Sequence, residues 1–199
     1  KLLVNFADDI IFGLKAMIKT VNAEKGIIVI EDNKEDAIEI MEAKVADIDN
    51  IEVVVAKTKY PQGAEKMLIK RVMKRMVPSG GLPADVGCVV ANVSTTKAIS
   101  DAIQKGMPLI ERVVSVTGEK VKNPGNFIVK IGTNSKDLID YCGGVTDDDV
   151  TYKAGGKMMG FVLSDTNVPI MKGSNGIIAI TPAESTPVEC IKCGRCVDV

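Results

Sequence analysis

Three cysteines near the end of the sequence have the spacing of an iron–sulfur ligand loop. Cys190, Cys193 and Cys196 follow a C-x2-C-x2-C pattern, with Gly194 inside the loop. In bacterial ferredoxins this spacing places thiolates around one [4Fe–4S] cluster, and the run ends with a further cysteine after three more residues. That cysteine would follow Val199 directly, so we interpret the chain as a fragment of a longer protein.

A structural zinc site and a coincidental run of thiols are the alternatives for this cysteine loop. Zinc requires a fourth Cys or His ligand, and the sequence contains no His. A disulfide fits the spacing less well, because the spacing is that of a metal loop. The pattern therefore favours iron–sulfur. Cys88 and Cys142 each stand alone in apolar or helical surroundings, where a small buried thiol is the commoner state.

The composition is that of a globular chain with almost no net charge. Its 199 residues are 46% hydrophobic, which is enough for one large domain or two small ones. There are 25 Lys and Arg against 26 Asp and Glu, with no basic run to bind a phosphate backbone, so nucleic acid is not an expected partner. The absence of His also excludes Ser-His and Cys-His nucleophiles.

The apolar runs and the cysteines limit where the protein can work. Each apolar run is the length of a strand, well short of the roughly 18 residues that suggest a membrane span, so no transmembrane segment is expected. Cysteines in a metal loop indicate a reducing compartment. We therefore expect the chain in the cytoplasm or on the cytoplasmic face of a membrane.

Helical and strand patterns alternate over the first half of the sequence. An amphipathic helix is predicted over 3–21, and Asp32-Asn33 is expected to cap the helix that follows the first strand. Apolar runs predict three buried strands, 27–30, 51–56 and 86–91. The first run is continuous, which is typical of a strand covered on both faces. Strands of this kind, alternating with helices, predict a parallel α/β layer.

Polar and Gly-rich segments follow the second and third of these strands, and ligands bind at the carboxyl edge of parallel sheets. The first segment contains Tyr60, Gly63 and Glu65, and the second contains Asn92 and Thr95. An ordinary loop with a helix-start carboxylate, and a helix cap, are the structural explanations, and spacing alone favours them. The sequence has neither G-x-G-x-x-G nor G-x-x-x-x-G-K-[ST], so a bound nucleotide would need another kind of site.

A β-rich pattern begins near Pro108. It predicts a small α+β domain, followed by a linker over 181–188. The Gly-rich stretch 155–160 permits close approach of a cofactor, although a tight turn between strands is the plainer explanation. The predicted elements of this second domain are a hairpin of strands 112–117 and 126–130, a helix over 133–142, and strands over 159–163 and 176–180.

Several sequence blocks together resemble the C subunit of the Rnf complex, which is itself similar to the flavin subunit of respiratory complex I. The resemblance covers essentially the whole chain in the expected order, and only the cysteine loop is a general motif. The matching blocks are 57–63, 77–87, 109–118, 121–127 and 190–196.

The resemblance implies a fold in three parts. Residues 1–107 would be the C-terminal part of a Rossmann-like α/β domain that binds FMN and NAD(H). Residues 108–180 would form a β-grasp domain of the soluble-ligand-binding kind. Residues 181–199 would be a linker and the first part of a truncated [4Fe–4S] ferredoxin-like segment.

The resemblance also implies a function in electron transport. The chain would belong to a peripheral subunit of an ion-translocating ferredoxin:NAD oxidoreductase, acting with other subunits on the cytoplasmic face of the cell membrane. FMN would exchange hydride with NAD(H) and single electrons with two [4Fe–4S] clusters of the full-length protein. No side chain is then needed as acid, base or nucleophile, so no catalytic residue is expected, and this fragment alone should be inactive.

The resemblance identifies candidate cofactor neighbours. The FMN loop of the flavin subunit of complex I reads Y-x-x-G-E-E, and here Ala64 replaces its first carboxylate. The residues expected beside the flavin or the nicotinamide are Tyr60, Gly63, Glu65, Asn92 and Thr95. The ligands expected for one cluster are Cys190, Cys193 and Cys196, with the fourth in a second motif outside the chain.

Two other functions are open at this point. A flavin and iron–sulfur cobalamin reductase has a similar layout and is not separated from the Rnf family by these residues. A non-enzymatic ligand-binding or docking module is the other alternative, and Ala64 in place of a carboxylate is its support.

Overall fold

The computed structural model describes residues 1–182 and 189–194, which divide into two compact units between Ile110 and Glu111. A short 3-10 helix, Pro83–Val86, lies between α4 and α5. The helices and strands are α1 (Leu2–Asn5), α2 (Ala7–Val21), β1 (Gly26–Glu31), α3 (Glu35–Val45), β2 (Ile51–Ala56), α4 (Glu65–Met73), α5 (Val93–Lys105), β3 (Glu111–Thr117), β4 (Gly125–Lys130), α6 (Ser135–Tyr141), β5 (Thr151–Ala154), β6 (Phe161–Val162) and β7 (Gly176–Ile180).

The first unit is organised around a parallel β1–α3–β2 crossover. The two strands run in register from Gly26 opposite Ile51 to Glu31 opposite Ala56. Parallel neighbours need a crossover connection, and α3 supplies it. The first two predicted strands and their parallel arrangement are therefore confirmed. The predicted burial of the second strand is confirmed only in part, because Val55 is 42% exposed.

Helices α2 and α3 bury one face of this strand pair. Apolar residues at three- and four-residue steps place one stripe of each helix in the core, as the sequence pattern predicts. Met41 is fully buried at the centre of this cluster, and burial of such a side chain contributes roughly 1.5–3 kcal/mol. The buried members of the cluster are Ala7, Ile10, Ile11, Ile18, Ile28, Ile30, Ala37, Met41, Val45 and Ile51.

The prediction of a third strand over 86–91 is wrong. Pro83–Val86 is a 3-10 turn, and Gly87 closes it with a φ of +68°, which interrupts any extended run. The Cys88 amide then donates to the Pro83 carbonyl at 3.1 Å. Val89 is exposed, and no strand among the described residues pairs with this segment.

The expected Asp32-Asn33 cap is also wrong. Helix α3 begins after Lys34, which makes no side-chain capping bond. The Asp32 carboxylate instead accepts hydrogen bonds from Thr58, beyond the end of β2.

The second unit contains a mixed five-stranded sheet in the order β4-β3-β7-β5-β6. Its two central pairings differ, because β3 and β7 are parallel while β7 and β5 are antiparallel. The hairpin β3–β4, helix α6 and strand β7 confirm the predicted elements. Strand β5 is an element that the sequence pattern does not predict, and the expected strand over 159–163 shortens to Phe161–Val162.

Helix α6 covers one face of this sheet. Leu138 and Ile139 of α6 and the buried thiol of Cys142 pack in one cluster with Val114 and Ile177 of the central strands. Burial raises the pKa of Cys142. The expectation that Cys142 is a small buried thiol is therefore confirmed.

One carboxylate fixes the end of β7 to the β3–β4 turn. Glu119 Oε1 accepts bonds from the Thr181 amide at 3.0 Å and from the Thr181 hydroxyl at 2.6 Å. The bond from the Thr181 hydroxyl, and secondly the bond from the Thr181 amide, lower the pKa of Glu119. The chain therefore leaves the sheet from a fixed position.

The observed architecture is mixed α/β, as predicted. Within the described ranges, no helix combines the length and the apolar character that a bilayer crossing requires.

Candidate functional site

A single carboxylate joins the carboxyl ends of β1 and β2. Asp32 directly follows β1, and its Oδ1 accepts bonds from the Thr58 amide at 2.9 Å and the Thr58 hydroxyl at 2.7 Å. We call this pair the Asp32–Thr58 clamp. It fixes the start of the loop between β2 and α4 at the sheet edge where parallel α/β proteins bind ligands.

The loop held by this clamp carries three of the predicted site residues. Tyr60 is 56% exposed, and no atom lies within 4 Å of the position that a Cβ would take at Gly63. The Gln62 amide donates to the Lys59 carbonyl at 2.6 Å, which makes the tip a tight turn. Glu65 is the first residue of α4, where a carboxylate complements the helix dipole. The loop thus presents a ring, an open backbone and a carboxylate to solvent.

Acidification should break the Asp32–Thr58 clamp. The Thr58 hydroxyl, and secondly the Thr58 amide, hold the pKa of Asp32 below its ordinary value of 3.8. Because the ionised form accepts both bonds, their contribution is present above 3.8 and is lost as the pH falls through the lower, folded pKa. We expect the Thr58 amide proton, followed by NMR, to titrate with a midpoint below 3.8.

The Asp32→Asn variant is the matched control for this titration. Its amide oxygen still accepts a hydrogen bond but does not ionise, so the Thr58 amide signal should stay constant over the same acidic range. A wild-type midpoint at or above 3.8 would argue against the clamp, as would an unchanged titration in Asp32→Asn.

The other two predicted neighbours lie at the start of α5. Asn92 is the N-cap, and its Oδ1 accepts from the Ser94 amide at 2.9 Å. Within the described ranges, neither its side-chain NH2 group nor the exposed hydroxyl of Thr95 donates a hydrogen bond. No hydrogen bond among the described residues joins this segment to the Tyr60 loop. The structure thus groups Tyr60, Gly63 and Glu65 on one loop, and it gives Asn92 the capping role that spacing alone favoured.

Sequence reasoning missed Asp32 and Thr58 as residues that shape this site. Their positions in the sequence could have indicated this role, because each residue follows the end of one of two adjacent parallel strands. Polar residues at that edge meet in space. Residue type alone instead favours a helix cap at Asp32, which is why the clamp escapes prediction.

The structure describes the first two cysteines of the cysteine loop. Cys190 and Cys193 are exposed, and the Lys192 amide donates to Cys190 Sγ at 3.4 Å. Amide bonds of this kind to ligand sulfurs are a feature of iron–sulfur sites, so the loop fits a cluster. Cys196 lies outside the described residues. Within the described residues, no three His, Cys, Asp or Glu side chains gather as a metal site.

The glycine-rich stretch 155–160 is a turn between β5 and β6. The Gly155 amide donates to the Gly176 carbonyl at 2.8 Å, which fixes the first residue of the turn to β7. The Gly160 amide donates to the Gly156 carbonyl at 2.6 Å and closes the turn. The plainer explanation from the sequence is therefore confirmed.

A cavity of about 390 Å³ lies in the first unit, apart from the predicted residues. Its charged walls neutralise each other, since Lys44 Nζ lies 2.7 Å from Asp8 Oδ1. The lining residues are Asp8, Asp9, Ile11, Phe12, Lys15, Lys44, Ile48 and Gln104.

Two family models match the chain. Residues 1–101 match the Nuo51 FMN-binding domain, and residues 113–162 match the SLBB domain. The chain therefore belongs to the family of the Nuo51 FMN-binding domain.

Curated relatives extend this result. The chain is 50% identical over 96% of its length to the C subunit of the proton-translocating ferredoxin:NAD(+) oxidoreductase complex of Clostridium ljungdahlii. It is 43% identical over 100% of its length to the Na(+)-translocating counterpart of Acetobacterium woodii. It spans only 42% and 45% of these two relatives. The resemblance to the C subunit of the Rnf complex is confirmed.

A solved structure shares the fold. A chain of an NAD+-reducing [NiFe]-hydrogenase in the air-oxidized state superposes with a TM-score of 0.72 at 17% identity. The match covers 90% of this chain and 37% of that one.

Proposed function

We propose that the chain is part of the electron-input subunit of a membrane-bound ferredoxin:NAD oxidoreductase. The observation that carries the proposal is the Tyr60 loop at the carboxyl edge of β1 and β2, in a chain that belongs to an FMN-binding family. The names of the relatives support the same assignment and suggest other subunits as partners. A peripheral position on the cytoplasmic membrane face is part of this proposal.

The proposal includes a domain layout. Residues 1–107 are assigned to a Rossmann-like domain, 108–180 to a β-grasp domain and 181–199 to a linker and ferredoxin-like segment. The order β4-β3-β7-β5-β6 supports the β-grasp assignment, because the first and last strands of the unit lie parallel at its centre. Helix α6 packs across them.

Each residue of the proposed flavin site has a defined task. Tyr60 offers a ring face for stacking, Gly63 admits the ligand close to the backbone, and Glu65 accepts a hydrogen bond from a hydroxyl. Asn92 uses its oxygen in the cap, so its NH2 group and the Thr95 hydroxyl are the donors left for a ligand. FMN, when bound, takes up hydride from NADH and passes on single electrons. The residues of this chain bind and orient the FMN.

In this proposal, the cysteine loop holds the iron–sulfur cluster that exchanges single electrons with FMN. Cys190, Cys193 and Cys196 would hold one [4Fe–4S] cluster, with the fourth ligand from a part of the protein beyond this chain. The Lys192 amide bond to Cys190 would stabilise negative charge on that sulfur. This chain alone should therefore bind iron poorly.

The test is an anaerobic analysis of the full-length parent. We expect about one FMN, bleached by NADH, and about eight iron atoms in two [4Fe–4S] clusters. The Cys193→Ser variant should lose about four of these iron atoms, because serine replaces a ligand thiolate. The matched control is Cys88→Ser, which should keep them all, since Cys88 is not part of the C-x2-C-x2-C pattern and its thiol lies 3.6 Å from the Val86 carbonyl.

Two results would count against this function. Clusters without saturable FMN binding would indicate a docking module with an electron-relay segment. A parent protein with neither flavin nor iron would remove the proposal altogether.

A further inference from the structure

The β5–β6 hairpin, residues 151–163, exposes a cluster of large apolar side chains. Met158, Met159, Phe161 and Val162 are each between 60% and 84% exposed, within five consecutive residues. Isolated exposed apolar residues are ordinary, but a contiguous group marks a surface that another molecule covers. None of the four belongs to the core cluster of the second unit.

The backbone of β6 is free on its outer side. Strand β6 ends the sheet order, and no strand pairs with its outer edge among the residues that the structure describes. The Leu163 amide donates to the Tyr152 carbonyl at 2.8 Å. Because antiparallel ladders alternate, the Val162 N–H and C=O then point away from β5. One donor and one acceptor are therefore available to an added strand.

The hairpin is positively charged. Residues 151–163 contain Lys153 and Lys157 and no Asp or Glu, and the Glu119 carboxylate outside the hairpin interacts with Lys157. Lys153 Nζ donates to the Lys157 carbonyl at 3.3 Å, so this charge lies along the hairpin beside the apolar group. A complementary surface would be apolar at its centre and acidic at its border.

We infer that this hairpin is a docking surface for a protein partner that lays an extended apolar segment, flanked by acidic side chains, along β6. A protein fits better than a bilayer, because hydrocarbon would leave the Val162 N–H and C=O unpaired, whereas a strand pairs both. The inference rests on the proposed function, since the partner is then another subunit of the complex.

The experiment measures binding of the full-length parent to membranes that contain the remaining subunits of its complex but lack this one. Phe161→Ser and Met159→Ser should each weaken binding about tenfold or more, because such anchors dominate interface energies. Val162→Pro should do the same by removing the outward N–H, which β5 does not use. Lys153→Glu with Lys157→Glu should weaken binding more at low salt than at high salt.

Ile128→Ser is the matched control. Ile128 is 65% exposed but lies on β4, at the opposite edge of the sheet, so its replacement should leave binding unchanged. Flavin and iron contents should equal those of the wild type in every variant, because the hairpin contains none of the proposed cofactor residues.

Three outcomes would overturn the docking surface. One is unchanged binding of the hairpin variants, and another is a hairpin-dependent change only in self-association. The third is binding to protein-free vesicles of phosphatidylcholine and phosphatidylserine that the hairpin variants abolish, which would indicate a lipid surface. A parent that docks through the hairpin but holds no flavin would refute the proposed function and leave the docking surface standing.

Discussion

Replacing Gly118 with alanine should strongly destabilise the second unit. Gly118 has a φ of +120°, and a Cβ there would overlap the Ala179 carbonyl oxygen and lie 2.8 Å from both the Ala179 nitrogen and carbonyl carbon. Ala179 is fully buried in β7, so this backbone has no space to move. Backbone strain and overpacking together should cost about 3–5 kcal/mol. Chemical denaturation monitored by the amide signals of β3 and β7 measures the loss.

Gly132→Ala separates the two causes. Gly132 also has a positive φ, +96°, but nothing lies within 4 Å of its Cβ position. Its replacement should cost only the conformational strain, about 1–2 kcal/mol. Equal losses at the two positions would show that the contact with Ala179 is unimportant.

Replacing Gly13 with alanine should force α2 and α5 apart. A Cβ at Gly13 would overlap the Thr96 carbonyl oxygen and lie 2.9 Å from its carbon. Alanine favours a helix over glycine by about 1 kcal/mol, but displacement of a packed backbone costs more. We expect a net destabilisation of the first unit by about 1–3 kcal/mol. Urea unfolding of the full-length parent, monitored by the NMR signals of α2 and α5, is the measurement.

Lys15→Ala is the control for Gly13→Ala on the same helix. Lys15 is exposed, so its replacement should change the free energy of unfolding by no more than about 0.5 kcal/mol. Stabilisation by Gly13→Ala would mean that helix propensity outweighs the contact with Thr96.

A strand is predicted correctly where an apolar run in the sequence also has a neighbouring strand to pair with. Strands β1 and β2 are rich in β-branched residues, and each has the other as a parallel neighbour. The run 86–91 is equally apolar, yet Gly87 in a left-handed conformation interrupts it, and no described strand lies beside it. Hydrophobicity indicates that a segment can be buried, but a β-strand also needs a neighbouring strand with which to form backbone hydrogen bonds.

Short elements escape prediction for a related reason. Strand β6 has only two residues and β5 has four, too few to show an alternating pattern. Strand β5 also depends on pairing with β7, which lies further along the chain. Long-range pairing of this kind is invisible in a local window.

The sequence predicts the residues of the candidate loop, but it does not predict the hydrogen bonds that hold this loop in place. Tyr60, Gly63 and Glu65 stand together in the sequence and lie on one loop in the structure. The Asp32–Thr58 clamp joins residues 26 positions apart, and only the parallel register brings them together. Whether these residues contact a flavin stays a prediction.

The bonds between Glu119 and Thr181 limit the reach of the cysteine loop. The chain leaves the sheet at Thr181, and nine peptide steps separate Thr181 from Cys190. Nine fully extended residues span at most roughly 30 Å. If Cys190 holds a cluster, as proposed above, that cluster would therefore lie within about that distance of Thr181. The Glu119 carboxylate would then set an upper limit on how far from the sheet electrons can leave this part of the protein.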